Sequence, residues 1–277
     1  MKKEGIQDSE GGRAVFLGFS GSKRCRCLLE SLIIAFSMYS RLPMPKVDWN
    51  EENMRYPICF FPLLGAVIGG LSALCLSLCM LLDLSSSLRA AFLTALPVLV
   101  TGGIHLDGLL DTADAVNSWG SPEKRLEILK DSRSGAFAVI CCGLYFVLFF
   151  GAASVFTLRD MPALTLVFML SRALSGLTLA RFPKAKSSGL LYTFADQGKT
   201  KAISCVSVGY LLFCVTGLLM LSPFLALLLI GEAALLTYLY HRTSLRMFGG
   251  ITGDLAGCFL CVTELTLLIT IASLSGL

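Results

Sequence analysis

Three carboxylates, Asp107, Asp111 and Asp114, close the stretch Thr101-Gly-Gly-Ile-His-Leu-Asp-Gly-Leu-Leu-Asp-Thr-Ala-Asp114 at the end of an apolar run. On an α-helix, offsets of four and seven residues return to one face, so the acids would stack in a column within about two turns. Like charges at that spacing repel, and poor solvation at an apolar edge raises the cost. A divalent cation would relieve both penalties. Magnesium is the natural candidate, because it takes hard oxygen ligands and is commonly shared between a few carboxylates and a substrate phosphate. The alternative is a wet helix mouth that holds no metal, but a merely soluble helix end gives no reason for every charge to share one face and one sign. Gly102, Gly103 and Gly108 surround Asp107 and would let a neighbouring helix or a bulky ligand approach the backbone.

Other residues could join that chemistry. Ser121-Pro-Glu-Lys-Arg-Leu-Glu-Ile-Leu-Lys-Asp-Ser-Arg133 reads as an amphipathic surface helix, capped by Ser121 with Pro122 in its first turn. It brings Lys130, Asp131 and Arg133 close in sequence to the acidic column, a mixture of charges suited to phosphate binding beside a metal, with Asp131 a further ligand. A plain basic flank explains Lys130 and Arg133 but not Asp131. Arg172, Glu232 and Glu264 lie inside apolar segments, where an ionisable group is a functional candidate by default; an Arg172–Glu232 structural pair is the alternative. Near the C-terminus, Phe248-Gly-Gly-Ile-Thr-Gly-Asp254 supplies Thr252 and Asp254, able to extend a metal site or to receive a hydroxyl proton. His105 is another proton acceptor by type, or a satisfied structural group beside a glycine pair. The loop 181–194 mixes basic, glycine and aromatic residues, as a loop closing over a nucleotide would.

The elements that must position these groups are membrane helices. The chain is 55% hydrophobic and 15% charged, with mean hydropathy +0.74, which excludes an ordinary soluble domain. Spans are expected over 57–82, 88–106, 134–157, 162–180, 202–221, 223–240 and 251–277. The fold class is therefore all-α, a polytopic helical bundle of about seven spans, with 28–40 a re-entrant or interfacial helix. Residues 1–27 read as a polar, disordered tail without a cleavable signal peptide, and 28–277 as one membrane-embedded domain. With the tail cytoplasmic, that side collects Arg41, Lys46, Arg55, Lys124, Arg125, Lys130, Arg133, Arg181, Lys184, Lys186, Lys199, Lys201, Arg242 and Arg246. The other side keeps Arg89 and Arg159.

That topology puts the acidic column on the cytoplasmic face inside a cationic rim. Such a rim suits a polyanionic substrate such as a nucleotide diphosphate ester, with Arg41, Lys130, Arg133 and Arg172 as substrate-binding candidates. Gly65 and Gly69 carry the spacing of tight helix packing. The eleven cysteines are scattered mostly through apolar runs and read as packing residues in a reduced compartment, the Cys258/Cys261 pair included.

Four ordered motifs resemble the cobalamin synthase family, the adenosylcobinamide-GDP ribazoletransferases: Ser40-Arg-Leu-Pro43 with Phe61-Pro-Leu-Leu-Gly65; the Thr101–Asp114 stretch; Leu129-Lys-Asp-Ser-Arg-Ser-Gly-Ala-Phe137; and Gly249-Gly-Ile-Thr-Gly-Asp254 with Thr263-Glu264. Ser134 departs mildly from a position more often apolar in the family. The resemblance implies transfer of the adenosylcobinamide-phosphate moiety to α-ribazole or its 5′-phosphate, release of GMP, a requirement for magnesium and a prokaryotic cytoplasmic membrane. The Asp-Gly-x-x-Asp core is also similar to that of CDP-alcohol phosphotransferases, although the Ala-Arg that follows that family's core is absent.

Within this chemistry Asp107 and Asp111, with Arg133 or Lys130, would neutralise departing GMP, and Asp114, Asp254 or His105 would take the hydroxyl proton. Expected partners are the two substrates and the lipid bilayer, with no nucleic acid and with a homo-oligomer allowed. The competing readings are a transporter using Asp107, Arg172, Glu232 and Glu264 as an ion path, and a CDP-alcohol-type enzyme acting on lipid. No internal repeat supports a transporter.

Overall fold

The computed structural model describes residues 23–131, 133–185 and 200–275. The expected tail up to residue 22, the loop 181–194 from Lys186 onward, and Lys199 beyond it lie outside the described residues. Among the described residues ten α-helices follow one another: α1 Lys23–Tyr39, α2 Pro57–Leu81, α3 Ser86–Thr101, α4 Ile104–Asn117, α5 Pro122–Ile128, α6 Ala136–Ala153, α7 Met161–Arg181, α8 Thr200–Leu221, α9 Pro223–Phe248 and α10 Gly253–Leu274. A 3-10 turn, Asn53–Arg55, precedes α2. Among the described residues there is no strand, only an isolated bridge between Lys184 and Ile251.

Among the described residues six helices, α2 and α6 to α10, are long and apolar enough to cross a membrane, and α3 with α4 makes a seventh only if the bent pair counts as one span. This multi-pass all-α bundle is what the hydropathy pattern requires, since a bilayer leaves no water to satisfy exposed backbone groups.

The expected continuous span over 88–106 is corrected. The chain turns by 94° between α3 and α4, because Gly102 (φ +67°) and Gly103 (φ +79°) occupy the left-handed region in succession. The Gly103 N–H closes α3 by donating to the Val98 carbonyl at 3.1 Å. The acidic column therefore occupies a helix of its own.

Three boundaries also shift. α1 starts at Lys23, ahead of residue 28. α9 runs past residue 240, where polar His241 and Arg242 ended the hydropathy signal, to a left-handed Gly249 cap. α5 ends at Ile128, so Lys130, Asp131 and Arg133 lie in the turn after the surface helix; Ser121 does cap it, accepting from the Lys124 N–H at 3.4 Å.

α7 is the hub, with 78% of its apolar window buried against 17–61% for the other five spans. α2 lies against it because Gly65 and Gly69 have no Cβ: one would collide with the Phe168 backbone, the other with Thr165. Phe61, Leu64 and Ile68 of α2, Phe168 and Leu170 of α7, and Leu260 and Leu267 of α10 share one core. Since lipid is as apolar as leucine, this close packing, more than burial from water, holds the bundle together.

Candidate functional site

Two glycines bring α4 and α10 together. A Cβ on Gly108 would stand 2.6 Å from the Asp254 carbonyl oxygen, and one on Gly257 would stand 3.1 Å from the carbonyl oxygen of His105. That approach sets the first turn of α10 beside the acidic column. The half-buried Asp111 carboxylate lies within electrostatic reach of Asp107, Asp254 and Asp114. Thr252 is engaged locally: its hydroxyl caps α10 by accepting from the Leu255 N–H at 3.2 Å.

Asp114 differs from its neighbours. Its two oxygens accept from the Gly135 N–H at 2.6 Å and the Ala138 N–H at 2.9 Å, so it caps α6 and ties that helix to α4. A side chain at Gly135 would press on this carboxylate at 2.8 Å.

Two cavities open at this end of the bundle, and Asp107 lies on the wall of both. The larger, about 640 Å³, is bordered by Ser37, Arg41, Thr101, Gly103 and Leu110. The smaller, about 200 Å³, is bordered by Tyr39, Phe61, His105, Ser175 and Asp254. Arg41 is fixed to the broken helix: its N–H donates to the Val100 carbonyl at 2.7 Å, and its Nε would be 2.5 Å from a Cβ on Gly102. His105 is 8% exposed, with its ring 5.9 Å from that of Tyr39 and 5.5 Å from that of Phe61. Neither of its nitrogens has a hydrogen-bond partner among the described residues.

Other candidates lie elsewhere. Arg172 lines neither cavity; it is 1% exposed and forms an ion pair with Glu264, while also donating to the Phe168 carbonyl at 2.9 Å. Ser171 donates to the same Glu264 carboxylate at 2.9 Å. Glu232, the partner expected for Arg172, instead accepts from Thr270 at 2.7 Å. Asp131 and Arg133 grip each other on the surface through bonds of 3.0 and 2.8 Å. Hydrogen bonding from the Arg133 side chain, and then from its backbone N–H, lowers the Asp131 carboxyl to about 2. Lys130 is exposed, and none of these three borders either cavity.

Among the described residues no group of three His, Cys, Asp or Glu side chains is gathered for a metal ion. The donor chemistry still fits magnesium, which keeps waters and substrate phosphates and needs only one or two carboxylates. Tyr39 and Phe61 are among the wall residues that sequence reasoning did not single out. The signal was present: Tyr39 directly precedes the Ser40-Arg41 motif, and Phe61 opens Phe61-Pro-Leu-Leu-Gly65.

A family model described as Cobalamin-5-phosphate synthase matches residues 31–272, from within α1 to within α10. The chain belongs to the cobalamin-5-phosphate synthase family. Similar proteins agree. An adenosylcobinamide-GDP ribazoletransferase of Lachnoclostridium phytofermentans is 49% identical over 86% of this chain and 91% of its own. Proteins of the same name from Clostridium botulinum and Desulfitobacterium hafniense are 32% and 33% identical, over 86% and 87% of this chain and 95% and 96% of their own. No solved structure matches. The interval shared with the family contains every residue named above on the two cavity walls.

Proposed function

We propose that this family member carries out the reaction named for its relatives: transfer of adenosylcobinamide phosphate from adenosylcobinamide-GDP to α-ribazole or its 5′-phosphate, with release of GMP. This is the step that assembles the nucleotide loop of cobalamin. The observation that carries the mechanism is Asp107 on the shared wall of two cavities, within electrostatic reach of the Asp111 carboxylate. Two substrates of very different size must meet at one phosphorus atom, and two unequal cavities with a common acidic wall suit that requirement.

The larger cavity takes the donor's diphosphate, with Arg41 held over Gly102 to face its anionic oxygens. An acceptor hydroxyl oxygen attacks the cobinamide-side phosphorus, the P–O bond to GMP breaks, and the hydroxyl proton passes to a carboxylate. Asp254 is the acid for that role, since Asp114 already spends both oxygens on α6. Asp107 and Asp111 would hold magnesium, which supplies charge neutralisation at the phosphate oxygens. Arg133 and Lys130, exposed on the surface and outside both cavities, would add to the positive field that attracts the anionic donor. The basic loops support a site on the cytoplasmic face of the inner membrane.

The test is GMP release coupled to corrinoid product, using protein purified in detergent with both substrates and magnesium. Wild-type protein should turn over, chelation of magnesium should stop it, and Asp107→Asn should lose on the order of 10²- to 10³-fold in rate, as for removal of one charge-stabilising contact. Absence of GMP from wild-type protein overturns the activity; near-normal turnover by Asp107→Asn at ordinary magnesium overturns the metal role.

A further inference from the structure

The phosphoryl chemistry leaves the smaller cavity's other wall without a task. Three rings meet there: Tyr39 and Phe61 are 4.5 Å apart between centroids, and the His105 ring lies nearly parallel to that of Tyr39, at 19°. A buried imidazole with both nitrogens unpartnered is costly, because each has lost water without gaining a protein partner. A ligand with a ring nitrogen that accepts from the imidazole N–H relieves part of that cost. Around this cluster the wall is mostly apolar, with Ile58, Leu179 and Ala256.

We propose that this cavity seats the flat heteroaromatic base of the acceptor nucleoside, with His105 hydrogen-bonded to a base nitrogen and Tyr39 and Phe61 packed against the ring. The proposal rests on the reaction given above and adds where the acceptor sits and what recognises it. Size supports the assignment. The 200 Å³ of the cavity hold on the order of seven waters at about 30 Å³ each, enough for one fused two-ring base and far too little for a corrin macrocycle. Polarity separates the two bases in the reaction. Beside the rings, Ile58, Leu179 and Ala256 offer no partner for guanine's exocyclic amine and carbonyl, whereas the glycosylated benzimidazole of α-ribazole has a single free ring nitrogen to satisfy. Position agrees as well, because Asp107 and Asp254 border the same cavity, so the ribose hydroxyl of a seated acceptor starts beside its proton acceptor.

Equilibrium dialysis of the detergent-purified protein with α-ribazole, and separately with adenosylcobinamide-GDP, tests this without needing turnover. His105→Phe keeps the ring and removes both nitrogens. It should weaken α-ribazole binding about tenfold, leave donor binding within about twofold, and leave the unfolding midpoint of the ligand-free protein unchanged or raised. If that midpoint falls instead, Phe61→Leu carries the test, with a severalfold loss for α-ribazole alone. Unchanged α-ribazole binding in the folded variant overturns the proposal, and so does a loss confined to the donor, which would put guanine in the cavity. Failure of wild-type protein to release GMP is a separate result that bears on the reaction, while the dialysis still reads the site.

Discussion

Two charged regions lie close together in this bundle and are built on opposite terms. Arg172 and Glu264 are 1% and 3% exposed, joined to each other and surrounded by further donors and acceptors from Ser171 and Phe168, with the Phe61 and Phe168 rings near the guanidinium. The two charges offset each other, and the Arg172 Nε lacks a hydrogen-bond partner among the described residues. Asp107, Asp111 and Asp254 are half-buried or exposed and of one sign, on two helices whose backbones the glycines let approach closely. The first arrangement is what a low-dielectric interior demands of a permanent resident. The second is stable only beside water or a cation, and it marks where charge enters from outside. Inside a membrane bundle, incomplete compensation is therefore a better guide to the reaction centre than the presence of charge.

Breaking the matched pair should have the largest effect on stability. Glu264→Gln strands a buried guanidinium and should cost about 3–5 kcal/mol of folding free energy, whereas replacing Arg172 and Glu264 together by methionine should recover much of it. Unfolding in mixed micelles measures both, and equal losses for the single and double variants would mean that packing, not charge matching, sets the value. Asp114 sharpens the contrast from within the acidic column. Asp114→Ala removes the cap of α6 and should cost about 1 kcal/mol, read in the same assay; no loss would return Asp114 to the group facing the cavities. The smallest change has the opposite sign. Asp111→Asn relieves like-charge repulsion and should stabilise the magnesium-free protein by about 0.2–0.5 kcal/mol, with that gain shrinking when magnesium is added. A destabilised Asp111→Asn would show the acids to be compensated already.

Much of this was legible in the sequence, for physical reasons. Apolar runs long enough to span marked six helices, and the four- and seven-residue offsets put Asp107, Asp111 and Asp114 on one face of α4. The Gly65/Gly69 spacing announced tight helix packing, although not that α7 would be the helix that meets it. What stayed hidden depended on pairings distant along the chain. Glu264 and Glu232 are equally plausible partners for Arg172 until α7 and α10 are packed; Asp114 looks like its neighbours until α6 brings two N–H groups to it. Gly102 and Gly103 were visible, but that both would take the left-handed turn follows from tertiary packing, and hydropathy runs through them without a break.

That turn has a consequence for the lipid. α3 has only 16 residues, about 24 Å of helix, against roughly 30 Å of hydrocarbon in an ordinary bilayer. Its outer face, Leu88, Phe92 and Leu99, is exposed on the surface of the bundle. Where α2 and α9, with 25 and 26 residues, match a full membrane with length to spare, α3 leaves a shortfall that neighbouring acyl chains must absorb by shortening or tilting. A bilayer fitted to α3 would be thinner, beside the helix that leads into the acidic column, than one fitted to α2 or α9. Such thinning would bring headgroups and water closer to Gly102 and Gly103.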